Sequence, residues 1–204
     1  MSEPLNLDLK GGWTQMRLRP ATLADKPVLE RWDEDPDVKA ATNDDHASDE
    51  WLKGEDYWTH ELSMQSEVYA YFIGEIREGE TGDAMDGEWR PFAAMQVIDP
   101  HLEPTHYWGD VAPNLRALDI WIGEAADRGR RLGEFLMRIA IDQCFEPQAV
   151  TAILIDPLNS NTRAHKFYQR LGFTPTHRQV FNEEDDCLVH KLTRADWLAR
   201  NQGD

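Results

Sequence analysis

The sequence contains little cysteine: Cys144 and Cys187 are the two cysteines in 204 residues. Two cysteines do not supply the framework of bridges that stabilises small secreted domains. Cys144 falls on the apolar side of a predicted helix, and Cys187 falls in a predicted late strand. We therefore expect both thiols to pack in the core and neither to act as a nucleophile.

Metal-binding patterns are absent as well. The seven histidines show no H-x-H or H-E-x-x-H spacing, and the sequence has no Cys-x-x-Cys pair. Zinc sites in proteins depend on ligands clustered in this way. The sequence therefore predicts no metal site.

Long apolar runs are also missing. A transmembrane helix needs about 20 consecutive apolar residues, and no run approaches that length. The first residues, Met1 to Pro4, lack the basic and apolar segments of a secretory signal. We expect a soluble, cytoplasmic protein with no membrane partner.

Basic residues are scarce. Lysine and arginine number 21 against 38 aspartates and glutamates, which gives a formal net charge of −17. Nucleic acids and anionic membranes need basic surface to neutralise their phosphates, so the composition argues against both partners. A cationic small molecule would be attracted instead. Acids can also serve only to keep a surface solvated, and composition alone leaves both interpretations open.

The sequence does have enough apolar material for one folded core. Hydrophobic residues make up 41% of the chain, and eight of its residues are tryptophans. No repeat or composition shift marks a second domain, so residues 1–204 are predicted to form a single domain. Residues 14–19, 68–76 and 92–98 predict strands, whereas residues 51–64 and 193–200 have helical spacing.

The chain is organised around residues 117–173. Residues 117–122 and 150–155 are apolar runs with the length of interior strands. Between them, residues 128–133 open a helix whose polar positions Glu134, Arg138 and Asp142 recur every four residues. This helix supplies the crossover that a parallel pair of strands needs. A second helix is predicted to follow the polar residues 159–161 and to end at Gly172.

The glycine-bearing turn at 128–133 carries the first chemical signal. Backbone N–H groups at the start of a helix, with little side-chain obstruction, form a site for a pyrophosphate or another anion. Arg128, Arg130 and Arg131 add positive charge. Glycine turns before helices are also common as plain connections, so this pattern alone leaves a structural turn open.

Two motifs in this stretch resemble one protein family. Residues 128–133 follow the pattern Arg/Gln-x-x-Gly-x-Gly/Ala, with Arg128 and Gly133 at its ends and Arg131 in place of the first glycine. Downstream, Asn161, Ala164, Tyr168 and Gly172-Phe173 stand as Asn-x-x-Ala-x-x-x-Tyr-x-x-x-Gly-Phe. The chain thereby resembles the GCN5-related N-acetyltransferases (GNAT). Residues 118–123 and 156–164 are similar to the aminoglycoside 6′-N-acetyltransferase subgroup, which includes antibiotic-resistance enzymes.

The resemblance implies the GNAT fold, an α/β (α+β) architecture with a mixed, mostly antiparallel central sheet flanked by helices. It also implies an acetyl-CoA-dependent N-acetyltransferase acting on a primary amine of a small polycationic acceptor, aminoglycoside-like. We assign these residues to coenzyme A binding: Ile120, Trp121, Ile122, Arg128, Gly129, Arg130, Arg131, Leu132, Gly133, Asn161, Arg163, Ala164 and Phe167.

Asp119 and Tyr168 are the predicted catalytic residues. Strand alternation sets Asp119 opposite the apolar face of its strand, where an unpaired carboxylate must face a cleft. The resemblance makes Asp119 the amine-binding carboxylate and candidate base, and makes Tyr168 the acid that protonates the leaving thiolate. A salt bridge for Asp119 and a core position for Tyr168 are the open structural alternatives.

The predicted acceptor site includes Trp32, Glu103 and Asp110 besides Asp119. Glu103, Asp110 and His106 lie in a polar, aromatic loop before the central strand, and each is a further candidate base. Residues 30–56 carry eleven acids together with tryptophans. Such a segment suits the binding of an amine-rich sugar, but it fits a solvated helix pair equally well.

Two alternatives to this function are open. The enzyme could acylate a lysine-derived siderophore precursor or a protein amine. The chain could also be a non-catalytic acyl-CoA-binding module, which the presence of both Asp119 and Tyr168 argues against. The residues predict a monomer or a homodimer without distinguishing them.

Overall fold

The centre of the fold is one sheet. A computed structural model describes residues 5–9, 12–42, 56–79, 87–182 and 184–201. Its sheet has eight described strands in the order β1-β2-β3-β4-β5-β6-β8-β7. The strands are β1 (Leu5–Leu9), β2 (Gly12–Pro20), β3 (Tyr69–Gly79), β4 (Arg90–Ile98), β5 (Leu115–Ile122), β6 (Ala152–Ile155), β7 (Thr174–Phe181) and β8 (Asp185–Thr193).

Helices cover both faces of this sheet. They are α1 (Lys26–Asp33), α2 (Pro36–Thr42), α3 (Tyr57–Ser63), α4 (Leu132–Phe145), α5 (Thr162–Leu171) and α6 (Arg194–Asn201). In the described ranges no helix combines the length and the apolar character that crossing a bilayer requires.

The sheet is mixed and mostly antiparallel, as predicted. Among the described strands, β5 and β6 form the parallel pair, and α4 connects them. A parallel pair needs such a crossover because its two strands run in the same direction. Pairing between β5 and β6 ends at Ala117 and Leu154, although β5 continues to Ile122 as a partner of β4. The last residues of β5 are therefore paired on one side only.

Several predicted elements are confirmed with shifted ends. Asn161 precedes α5 as its N-cap, and Gly172 follows it with φ of 100°, a left-handed conformation that favours glycine. The late strand predicted around Cys187 is confirmed as β8, which pairs with β7 from Thr174 onward. The helix predicted over 51–64 is confirmed from Tyr57, whereas Trp51 lies outside the described residues.

Apolar side chains pack against both faces of the sheet. On one face, α4 buries Leu136, Met137 and Ile141 completely. On the other face, α1 and α3 bury Leu29 and Trp58 against β3 and β4. Each fully buried side chain of this size stabilises the fold by about 1.5–3 kcal/mol, so these helices are held firmly against the sheet.

Trp32 belongs to this core and not to the acceptor site in which sequence reasoning places it. Its side chain is buried, and its indole N–H donates to the Glu124 carboxylate at 2.9 Å. The indole lies against Gly123, where an added Cβ would be 2.0 Å from Trp32 Cδ2. Its aromatic surface is thus covered by the chain that follows β5, which sequence spacing could not show.

Gly123→Ala should lower the free energy of unfolding by about 1–3 kcal/mol, because the added methyl group overlaps the Trp32 ring and the core must shift. Chemical denaturation measures the change. Gly133→Ala is the matched control, since its Cβ would lie 3.5 Å from the nearest side-chain atom, an ordinary contact, at a helical position that favours alanine. Equal stability of Gly123→Ala and the wild type would contradict the tight packing.

Candidate functional site

A cavity of about 1790 Å³ opens where β5 and β6 separate. Its walls come from the end of β5, the start of α4, α5, α3 and the loop between β4 and β5. Twelve of the thirteen residues predicted for coenzyme A binding line it; the exception is Arg130. The predicted catalytic residues Asp119 and Tyr168 line it as well. The fold therefore brings most of the predicted site together.

Charged side chains of both signs line the cavity, and three of its carboxylates, Asp37, Asp127 and Glu134, pair with arginines of the turn before α4. One end carries basic side chains, from the turn before α4 and from α5; these are Arg128, Arg131, Arg163, Lys166 and Arg170. The other end carries carboxylates; these include Glu61, Glu103, Asp119, Asp156 and Asp185. The basic end suits phosphates and the acidic end suits an ammonium group.

Asp119 lies in the cavity and makes no ion pair within the described residues. Its carboxylate accepts a hydrogen bond from the backbone N–H of Ile120 at 2.8 Å. The side chain is exposed to the cavity, yet protein surrounds the position, and this burial raises the pKa of Asp119 above its usual range. The salt-bridge alternative for Asp119 therefore finds no support.

Asp156 is a second carboxylate of the cavity, and sequence reasoning assigned it no role. Asp119 and Asp156 each lie two positions after Ala117 or Leu154, the residues at which pairing between β5 and β6 ends. Burial raises the pKa of Asp156 to about 7; a hydrogen bond from Tyr107 opposes the rise and the charge of Asp119 adds to it. A carboxylate that titrates near neutral pH can take a proton from an ammonium group. The sequence signal that could have identified Asp156 is its position directly after an interior strand.

Tyr168 presents a protonated hydroxyl to the same cavity. Its ring is largely buried and lies edge-on to Phe173, with 5.9 Å between centroids. Burial, and then the charges of Asp119 and Asp156, raise its pKa well above the usual range. The hydroxyl makes no hydrogen bond to the described residues. Tyr168 is therefore largely a core aromatic, and it also lines the cavity.

The turn before α4 presents backbone N–H groups. Gly129 has φ of 77°, and a Cβ built there would meet no atom within 4 Å. Arg131 has φ of 67°, which costs a non-glycine residue about 1–2 kcal/mol and makes this the position where the motif favours glycine. The N–H groups of residues 131–133 donate no hydrogen bond within the described part of the chain. They are available to an anion at the positive end of α4.

Two predicted arginines hold the turn in place. The Arg128 guanidinium donates to the carbonyls of Ile122 and Gly123 at 3.0 Å, and it pairs with carboxylates of the α2 region, Asp35 and Asp37. The Arg130 guanidinium pairs with Glu78 and with the buried Asp127, which Arg90 also binds. Their charges are neutralised by neighbouring carboxylates, so the turn itself offers a phosphate mainly backbone N–H groups.

Helix α5 supplies the remaining basic charge. Asn161 uses its side-chain oxygen to accept the Ala164 N–H at 3.0 Å, so it caps the helix. Arg163 and Lys166 are exposed, line the cavity and pair with no carboxylate of the described residues. Arg170 lies one turn beyond Lys166 on the same helix face. The sequence analysis predicted Arg163 but not Lys166 or Arg170. Their spacing of three and four residues, which places them on one helix face, could have identified them.

The acceptor-side predictions are only partly brought together. Glu103 lines the cavity, but its buried carboxylate accepts hydrogen bonds from Thr105 and Tyr107 of its own loop. Asp110 and His106 are exposed and do not line the cavity in the described structure. Residues 43–55, which belong to the predicted acidic wall, lie outside the described ranges.

The cysteines behave as the sequence predicts. Cys144 and Cys187 are both free and buried. Burial raises the pKa of each thiol to about 12, and nearby carboxylates add to the rise at Cys187. Neither thiol is therefore ionised enough near neutral pH to act as a nucleophile.

A family model described as the acetyltransferase (GNAT) domain matches residues 21–181. The chain belongs to the GNAT acetyltransferases. The family assignment agrees with the mixed sheet, the crossover helix α4 and the N–H groups at its start. GNAT acetyltransferases use acetyl-CoA, and the open turn at Gly129 and the unpaired basic side chains of α5 fit its phosphates.

Relatives and a solved structure show which members of the family this chain is similar to. The aminoglycoside N(6′)-acetyltransferase type 1 of Klebsiella pneumoniae is 36% identical over 139 residues, covering 56% of this chain and 69% of the relative. A kanamycin resistance protein of Rhizobium radiobacter is 34% identical over 73 residues, covering 35% of this chain and 68% of that protein. The crystal structure of aminoglycoside acetyltransferase AAC(6′)-Ib with coenzyme A and kanamycin has a TM-score of 0.71 at 20% identity, covering 91% of this chain and 99% of that one.

Gly129→Ala and Gly109→Ala should each lower the free energy of unfolding by about 1 kcal/mol, because both glycines have positive φ and neither added methyl group meets another atom. Gly129 lines the cavity and Gly109 does not. Only Gly129→Ala should weaken acetyl-CoA binding, which isothermal titration calorimetry measures. Equal acetyl-CoA affinity in the two variants would argue against a cofactor cradle at Gly129.

Proposed function

We propose that this GNAT acetyltransferase acetylates a primary amine of a small polycationic acceptor of the aminoglycoside type. The observation that carries the proposal is a pair of cavity carboxylates, Asp119 and Asp156, that no basic side chain of the described residues neutralises. Asp119 and Asp156 stand at the acidic end without a basic partner among the described residues, while the N–H groups before α4 and the basic side chains of α5 form the other end. Relatives named for aminoglycoside acetylation support the same acceptor class.

Coenzyme A would be held at the basic end. The N–H groups of residues 131–133 suit the pyrophosphate, because they are unpaired and lie at the positive end of a helix. Arg163, Lys166 and Arg170 suit the other phosphate groups. Ile120, Ile122 and Phe167 provide apolar surface between the two ends. When bound, acetyl-CoA supplies the acetyl thioester.

Asp119 binds the acceptor ammonium group, and Asp156 takes its proton. A primary amine is largely protonated near neutral pH and must lose a proton before it can attack a thioester. Two nearby carboxylates in a partly buried site attract the ammonium, but their mutual repulsion makes one of them basic. The pKa of Asp156, raised to about 7, matches this task. The proposal adds Asp156 to the base candidates predicted from sequence.

Tyr168 donates a proton to the leaving thiolate. Its raised pKa keeps the hydroxyl protonated through the physiological range, and no described group competes for that proton. Its neighbours Asp119 and Asp156 favour the neutral phenol because a phenolate beside them would be repelled. The amine itself is the nucleophile, which fits two cysteines held as thiols.

An aromatic and amide wall completes the acceptor end. The Tyr71 hydroxyl accepts a hydrogen bond from the Gln96 side chain at 2.9 Å and donates one to the Glu61 carboxylate at 3.0 Å. Trp121 lies near Tyr71, with 6.4 Å between ring centroids. Such rings cover sugar faces or cations, and the polar groups between them suit hydroxyls and amines.

The remaining sequence predictions belong to the same proposal. The chain acts as one catalytic domain over residues 1–204, in the cytoplasm, as a monomer or a homodimer. Its acceptor is a small molecule and not a nucleic acid or a membrane, in keeping with the net charge of −17.

Kanamycin should give saturable release of free coenzyme A thiol from acetyl-CoA, and Asp119→Asn should raise the KM for kanamycin by roughly tenfold or more, since the variant loses a charge-assisted contact with the ammonium. A thiol-release assay with kanamycin, spermine, a lysine derivative and a basic peptide makes the comparison. Turnover of only the lysine derivative or the peptide would overturn the acceptor class and retain the enzyme class. Acetyl-CoA binding without turnover of any amine would favour the binding module.

Tyr168→Phe should lower kcat by roughly 100-fold or more while acetyl-CoA affinity stays nearly constant, because the variant keeps the buried ring and loses only the proton donor. Steady-state kinetics and calorimetry measure the two quantities. Tyr69→Phe is the matched control, because it removes a hydroxyl of another cavity tyrosine, one that donates its hydrogen bond to Tyr71. A Tyr168→Phe enzyme with wild-type kcat would remove Tyr168 from the reaction.

A further inference from the structure

Tyr107, in the loop between β4 and β5, makes the one side-chain hydrogen bond that Asp156 receives within the described residues. Its hydroxyl donates to Asp156 Oδ2 at 2.7 Å. The bond joins positions 49 residues apart in the sequence, both of which line the cavity. It occupies Oδ2 and leaves Oδ1 for a group in the cavity.

The Tyr107 ring is clamped by two aromatic side chains. It stacks on Phe181 with 4.4 Å between centroids and an interplanar angle of 10°. Trp108 meets the rings of Tyr107 and Phe181 edge-on, at 5.8 and 5.4 Å. Phe181 and Trp108 are both buried, so they cannot move aside without opening the core. The trio therefore sets the position of the hydroxyl.

The backbone of the loop is fixed as well. Glu103 is buried, and its carboxylate accepts the N–H groups of Tyr107 and Thr105 and the Thr105 hydroxyl. His106 takes φ of 54° just before Tyr107, which marks a sharp turn. Glu103, predicted from sequence as a base, is thus used to hold Tyr107 in place.

The charges around Asp156 make the hydrogen bond from Tyr107 important for that carboxylate. The described groups that act on its carboxylate are Asp119 from β5, Asp185 and Cys187 from β8, Tyr168 from α5 and Tyr107 from the loop. None of them is a cation. A hydrogen bond to the ionised form is then the main side-chain contact that stabilises the carboxylate against burial and against Asp119.

We propose that Tyr107 is a positioning residue for acetyl transfer, which acts through its hydrogen bond to Asp156 and holds that carboxylate toward the acceptor end of the cavity. The inference rests on the proposed function, because it takes Asp156 as the group that accepts the amine proton. It gives Tyr107, which lines the cavity, a role that is exerted through Asp156.

Tyr107→Phe is the direct test, because it keeps the stacked ring and removes only the hydroxyl. The acid limb of the kcat/KM profile should move to higher pH by roughly one unit, since the variant loses a bond that favours the ionised carboxylate. The loss of kcat/KM should be about tenfold below the wild-type limb and should shrink as pH rises above it. A role in folding alone would lower activity equally at all pH values and leave the limb in place, which would overturn the proposal.

Two further variants serve as controls. Phe181→Leu keeps the hydroxyl but loosens the ring clamp, so it should move the limb in the same direction by a smaller amount. In an Asp156→Asn background the shift should vanish, because Tyr107 then has no carboxylate to act on. An unmoved limb in both Tyr107→Phe and Phe181→Leu, or a full Tyr107→Phe effect without Asp156, would contradict the proposal.

Carboxyl ¹³C NMR separates this proposal from the proposed function. The Asp156 signal, assigned by comparison with Asp156→Asn, is titrated in wild type and Tyr107→Phe with no acceptor present. An upward shift of roughly one pH unit in the variant supports the role of Tyr107 even if aminoglycosides prove not to be acetylated. An unchanged titration overturns it even if they are.

Discussion

Backbone pairing between β5 and β6 stops at Ala117 and Leu154, while both segments continue toward the same edge of the sheet. Parallel strands place their carboxyl ends together, and open α/β sheets bind ligands at such edges. Because none of the described strands fills the space beside the end of β5, the Asp119 and Asp156 side chains and the start of α4 face a common cavity. The cofactor end and the acceptor end of the site both follow from this separation.

The two ends of the cavity differ in charge because several arginines are used in structural ion pairs. Arg90 and Arg130 bind the buried Asp127 at the turn before α4, and Arg128 ties that turn to the carboxylates of the α2 region. These pairs neutralise charge where the backbone must be rigid. They leave Asp119 and Asp156 without cations among the described residues, so the acceptor end stays negative. An acidic protein thereby gains a local, directed attraction for an amine.

Burial shifts the pKa values of the cavity carboxylates and of Tyr168, and these shifts set their chemical roles. A carboxylate in water would hold its proton too weakly to take one from an ammonium group at neutral pH, but burial raises the pKa of Asp156 to about 7. Burial also keeps the cavity residue Tyr168 and both cysteine thiols protonated. Burial thus decides which of these groups carry a proton near neutral pH.

The sequence by itself determined those features of the fold and site that depend only on residues close together in the chain. Apolar periodicity predicted the central strands and α4, and local capping predicted the limits of α5 at Asn161 and Gly172. The two motifs identified the family and the turn that presents free N–H groups. Each of these features is set within one or two helical turns, so the chain shows it directly.

Only the tertiary structure decided which of the polar and aromatic side chains reach the cavity. Trp32 is covered by Gly123, 91 positions further along, and Glu103 is used inside its own loop. Asp156 gains its basicity from burial and its orientation from Tyr107, whose ring rests on Phe181. Burial and hydrogen-bond partners come from distant segments, and their effects on a side chain cannot be read from its neighbours in sequence.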